Sequence, residues 1–206
     1  MFAARDEFLT QGASAAPIPA QWIENTSSTS LYSSTSSGCL HGIWFRRSHY
    51  ALTIPQSVLR STGKSSGSIE GMRWYVYAGP LYQPLPNYEI GFKNWSGIST
   101  NPCATSSSGW TVVKPSASEY FTSTTYKTFT FSTPFAWSGG DLAISIAWGQ
   151  CPTNYSSSGN LMYGTTNQTS ASGYCWFTWV DSAGTYYITN PATTTANFMP
   201  RIELYL

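Results

Sequence analysis

Residues Asp141 to Trp148 carry the pattern that most restricts how this chain can fold. Leu142, Ile144, Ile146 and Trp148 fall on every second position, with Ala143, Ser145 and Ala147 between them. An extended strand sends alternate side chains to opposite faces, so the segment predicts a strand with one strongly apolar face. The alternation recurs along the chain. Tyr88, Ile90 and Phe92 share a side, which sends Glu89 and Lys93 to solvent. Phe129 and Phe131 share a side, and at the C-terminus Ile202, Leu204 and Leu206 face a core while Glu203 faces water. Between Ser68 and Ala78 the parity breaks. Ile69, Trp74 and Val76 can share a face only if a bulge near Gly71 and Met72 resets the register.

Shorter runs, such as Gly42-Ile43-Trp44-Phe45, Trp110 to Val113, Leu161 to Tyr163, Tyr174 to Val180 and Thr185 to Ile188, read as further strands. One helical turn fits Gln56 to Leu59, just after Pro55. Gly, Ser, Pro and Asn clusters punctuate the runs, among them Thr62-Gly63-Lys64, Ser138-Gly139-Gly140 and Ala171 to Gly173. No stretch has a sustained helical period. Many short strands in 206 residues predict an all-β fold, an antiparallel β-sandwich.

Composition narrows the partners. Charged residues are 9% of the chain and the formal net charge is +1. No basic run is longer than Arg46-Arg47, so binding to nucleic acid by counterion release is not expected. No apolar run reaches membrane-spanning length. Met1 to Phe8 includes Asp6 and Glu7 with no apolar stretch following, which does not read as a secretory leader. Aromatic residues are 16% of the chain. Some must lie outside the core: alternation turns Tyr75 and Tyr77 away from Trp74 and Val76, and Trp176 away from Cys175 and Phe177. Tyr82 and Trp95 sit in or near loops. These five, Tyr75, Tyr77, Tyr82, Trp95 and Trp176, are the candidate surface contacts, because rings with a polar tip suit flat contacts to proteins or sugars.

Residues 1–37 differ from the rest. A Pro/Ala/Ser stretch and a Ser/Thr tract predict an extended N-terminal arm. Its apolar residues Phe2, Phe8, Leu9, Trp22 and Ile23 are the candidate anchors on a partner. Residues 38–206 form the expected sandwich domain.

Motifs that would carry catalysis are weak. Gly63-Lys64-Ser65-Ser66-Gly67 has the letters of a nucleophile elbow, but that device needs a strand turning into a helix, and here a strand follows. Glu70, Glu89, Glu119, Asp141 and Glu203 show no paired spacing of the kind a glycosidase needs. His41 and His49 lack neighbouring acids and read as exposed or turn histidines rather than metal ligands. Cys39, Cys103, Cys151 and Cys175 have no zinc-type spacing and read as free thiols. The Asn-x-Ser/Thr triplets at Asn25, Asn94, Asn154 and Asn167 are no more than this much Ser and Thr gives by chance. The chain reads as a protein that is not an enzyme and needs no metal or cofactor.

A more specific pattern joins several of these segments. It includes Gly67-Ser68-Ile69-Glu70-Gly71-Met72-Arg73-Trp74-Tyr75-Val76, Asn87-Tyr88-Glu89-Ile90-Gly91-Phe92-Lys93-Asn94, and above all Thr128 to Ile144 with its Thr133-Pro134-Phe135-Ala136-Trp137-Ser138-Gly139-Gly140-Asp141-Leu142 centre. Met199-Pro200-Arg201-Ile202-Glu203-Leu204 closes it. Over residues 50–206 the chain resembles the jelly-roll sandwich of bacteriophage virion proteins and of some secreted bacterial surface proteins. It departs from that pattern in Asp141-Leu142, where Asn-Leu is expected, and in the N-terminal arm. The resemblance implies a jelly roll with a structural or adhesive role and supplies no catalytic residues. The expected function is that of a virion structural protein (tail, appendage or capsid decoration), made in the host cytoplasm and assembled with other virion proteins or with copies of itself. The alternative expectation is a carbohydrate-binding or adhesin module at a cell surface, facing a host glycan.

Overall fold

The computed structural model describes residues 20–33, 47–78, 84–104, 108–122, 124–149, 161–165, 168–180, 186–196 and 198–206. In chain order its first strands are β1 (Trp22–Glu24), β2 (Ser30–Ser33), β3 (Arg47–Ile54), β4 (Gly67–Ala78), β5 (Leu85–Trp95), β6 (Thr111–Glu119) and β7 (Thr125–Trp137). There follow β8 (Asp141–Trp148), β9 (Leu161–Thr165), β10 (Tyr174–Val180), β11 (Thr194–Thr195), β12 (Met199–Pro200) and β13 (Glu203–Tyr205). The helix α1 (Gln56–Arg60) occupies the predicted turn after Pro55.

Two antiparallel sheets pack face to face, so the chain is an all-β sandwich. The first has the order β11-β10-β3-β8-β5-β6. The second has the order β1-β13-β4-β9-β12, with β7 on β4 and β2 on β9. Apolar side chains of Tyr50, Leu52 and Ile54 on β3, Ile90 and Phe92 on β5, and Leu142, Ile144, Ile146 and Trp148 on β8 fill the space between. They meet Met72, Trp74 and Val76 of β4 and Phe129, Phe131 and Phe135 of β7. Rings interlock across the gap: Tyr88 stacks on Phe129 at 5.7 Å, and Phe92 meets Phe131 edge-on at 5.2 Å. Each such side chain contributes about 1.5–3 kcal/mol through the area it removes from water.

Two local devices follow the sequence closely. The β4–β7 register shifts between Ile69 and Gly71, which is the expected bulge. It brings both Glu70 and Gly71 to the outer face and returns Met72 to the core. Asp141, at the start of β8, fastens neighbouring turns. One carboxylate oxygen accepts from Gln56 N–H at the start of α1 (2.9 Å) and the other from Gly97 N–H (3.4 Å).

The N-terminal arm needs correction. Phe2, Phe8 and Leu9 lie outside the described residues, but residues 20–33 are part of the sandwich. Trp22, Ile23 and Glu24 pair with Tyr205, Leu204 and Glu203. Ile23 packs against the core. Trp22 and Ile23 therefore anchor within the chain's own sheet, and the expected boundary at 37/38 cuts through it. Asn25 locks this strand: its amide donates to Ser172 C=O and Pro200 C=O and its Oδ1 accepts from Ile202 N–H. The buried Asn25 side chain is thus fully engaged in structure.

Candidate functional site

The outer face of the second sheet carries a continuous stripe of rings. β4 sends Arg73, Tyr75 and Tyr77 outward, because its even positions Met72, Trp74 and Val76 are buried. Tyr126 is the register partner of Tyr75 on β7. Tyr163 of β9 stacks on Tyr75 at 5.7 Å and approaches Tyr77 at 5.7 Å. Tyr126 meets Tyr75 edge-on at 5.3 Å. At the other end, the Arg73 guanidinium lies between Tyr126 (4.3 Å) and the Trp22 indole (4.2 Å). Trp22 then contacts Tyr205 at 5.2 Å. The stripe remains open: Tyr77 and Tyr126 are 41% and 40% exposed.

A polar row underpins it. Glu203 was expected in solvent. It does point outward, but it is buried to 7% exposure because Arg73, Tyr126 and Arg201 close over it. Arg73 Nη2 lies 2.7 Å from Glu203, and Tyr126 O–H donates to the same carboxylate at 2.9 Å. Partial burial and that carboxylate push the Tyr126 phenol above its ordinary pKa. Arg201 also pairs with Glu24. The cations are thus neutralised inside the row, and the stripe meets solvent through rings and hydroxyls.

Of the sequence candidates, Tyr75 and Tyr77 belong to this stripe, and Tyr82 lies outside the described residues. Trp95 is half-buried and sits on the first sheet instead. Its indole N–H is spent on Gly97 C=O at 3.0 Å, and Lys93 lies over its ring. Trp176 is a correction. Alternation does turn it away from the sandwich core, but it is only 7% exposed. A second apolar cluster buries it with Ala51, Cys103 and Ala192. Tyr126, Tyr163 and Tyr205 were missed, though each lies in the phase opposite to buried residues of its strand: Tyr163 beside Met162, Tyr205 beside Leu204, and Tyr126 out of phase with Phe129 and Phe131.

The same covering explains His49, which was expected to be exposed and is instead 0% exposed. It lies on the outer face of β3, beneath Cys103 and Ile188. Ile188 fits there because Gly91 beneath it has no side chain: a Cβ would come within 2.4 Å of Ile188 Cδ1. Ser145 O–H donates to Ile188 C=O at 2.8 Å, so its lone pair accepts from His49 Nε2–H at 2.6 Å. Cys103 Sγ is 3.9 Å from the same nitrogen. Burial lowers His49 to about 4, the Pro191 backbone opposing only in part. Burial likewise raises the Cys103 thiol to about 12. A serine beside a histidine is the start of a nucleophilic site, but these two groups lie under a closed layer where no substrate reaches them. Their geometry serves to fasten the loop carrying Ile188 onto β8.

Among the described residues, Cys103 and Cys175 are free and buried, as expected, and Cys39 and Cys151 lie outside. No group of three His, Cys, Asp or Glu side chains among the described residues is placed to hold a metal ion. The Gly63–Gly67 segment runs from α1 into β4, the reverse of the order a nucleophile elbow needs. Compared with known protein families, curated proteins and solved structures, the chain finds no match.

Proposed function

We propose that this chain is a structural subunit of a bacteriophage virion, a tail, appendage or capsid-decorating component, and that it works by assembly through the tyrosine stripe. The stripe is the observation that carries this reading. Tyrosine offers a wide ring with few rotamers to freeze and a hydroxyl that can find a partner, which is why it is enriched at interfaces. The underlying ion pairs leave no net charge to be stripped of water when a neighbour docks. The resemblance of residues 50–206 to jelly-roll virion modules points the same way, and under it the two sheets are those of a jelly roll. A chain with only 9% charged residues also carries little self-repulsion inside a crowded assembly.

The test is to replace Tyr77 and Tyr163 with Ser together. The double variant should keep its circular dichroism spectrum and enter particles, or self-associate, about tenfold less well, as loss of a buried aromatic anchor at an interface requires. Unchanged incorporation and unchanged self-association would overturn the reading.

A further inference from the structure

At the Trp22 end of the stripe, one row of register partners crosses four strands: Trp22 on β1, Tyr205 on β13, Gly71 on β4 and Thr130 on β7. The row has a gap at Gly71, and a groove of about 240 Å³ lies there, lined by Trp22, Glu70, Gly71, Thr130 and Tyr205. Its floor is bare backbone for a steric reason. A Cβ on Gly71 would sit 2.9 Å from the Phe129 carbonyl oxygen and 3.5 Å from Cη2 of Trp22. The indole of Trp22 therefore reaches over β13 to roof the glycine. The bulge does the rest: by adding one residue between Ile69 and Gly71, it turns the Glu70 carboxylate onto the same face.

We propose that this groove is a binding site for one neutral monosaccharide unit, such as the end of a glycan chain. Its volume falls below the roughly 300–1,000 Å³ of sites for drug-sized ligands, so it fits a single small ring. The Tyr205 ring and the Cη2 edge of the Trp22 indole offer apolar surface for the C–H side of a sugar, while Glu70 and the Thr130 hydroxyl can bond its hydroxyls. Charge selects against the alternatives. No described residue forms an ion pair with Glu70, so an anion would meet an uncompensated carboxylate. The nearby cations, Arg73 and Arg201, are already paired with Glu203 and Glu24. A cation would share the indole with the Arg73 guanidinium, 4.2 Å from its centroid. A neutral polyol meets neither penalty. This site does not rest on the assembly reading, and it uses none of Tyr75, Tyr77 or Tyr163.

The test is an NMR titration of the full-length chain with methyl glycosides of glucose, galactose, mannose and N-acetylglucosamine at millimolar concentrations, following the Trp22 indole N–H. Choline and sialic acid serve as charged probes. At least one neutral glycoside should give a saturable shift. Glu70→Ala and Thr130→Val, both at exposed positions, should each weaken it by about tenfold, as loss of one hydrogen bond to the ligand implies, with the remaining spectrum unchanged. No shift with any neutral glycoside, a shift indifferent to both substitutions, or saturation by choline or sialic acid in place of the glycosides would overturn the proposal.

Discussion

At neutral pH the imidazole of His49 is uncharged because desolvation lowers its pKa from 6.5 to about 4. The unfolded chain takes up that proton near the ordinary value, so between the two the unfolded state holds more protons. Stability should therefore be full above about pH 6.5 and fall as pH drops toward 4, by about 3 kcal/mol at most from this residue. His49→Gln, whose amide can still donate to Ser145, should flatten the fall. Urea midpoints measured across this range will check it, and an equal slope in both proteins would refute the assignment. The thiols make a second expectation. Burial raises both Cys103 and Cys175 well above the ordinary cysteine value. Iodoacetamide followed by peptide mapping should leave both unmodified in the native protein and label both in urea. None of this burial could be read from His49 or Trp176 alone. Alternation tells which face a side chain takes. It does not tell whether a loop, here the one bearing Ile188 and Ala192, lies over that face.

Most strands were legible because each carries its own signal. β8 alternates for its whole length, and the parity conflict between Ile69 and Trp74 located the bulge. What escaped were elements whose evidence lies far away in the chain. β1 has three residues, too few for a period, and its partner β13 lies at the opposite terminus. Were residues 38–206 the whole domain, as expected, a chain lacking residues 2–36 would be sound. The sheet order says otherwise, since the deletion removes β1 and β2 and exposes the edges of β13 and β9. That truncated chain should melt well below the full-length protein, and equal melting temperatures would contradict the role of β1. Asn25→Ala tests the same joint by one side chain. It strands the buried N–H of Ile202 and two carbonyls, and should cost about 1–3 kcal/mol in a denaturant titration. Two of the six rings of the candidate surface were likewise legible. Tyr75 and Tyr77 followed from the phase of β4, whereas their meeting with Tyr163 required knowing that β9 lies beside β4.

At the scale of the whole molecule, a contact made by rings over internally neutralised ion pairs should be nearly indifferent to salt. Raising ionic strength from about 0.1 M to 1 M shortens the screening length from about 10 Å to 3 Å, which weakens associations driven by exposed charge. Sedimentation velocity should find self-association undiminished over that range. A steep loss would mean that charge, not the tyrosines, holds the copies together.

The layer over His49 and Trp176 has a geometric corollary. One broad side of the molecule is already bedded, like the underside of a paving slab, and the other is dressed. Two slabs laid dressed side to dressed side, about a twofold axis, would each use up the ring stripe in that contact. Growth by that contact would end at a pair, so a lattice of such pairs would need a second contact on another surface.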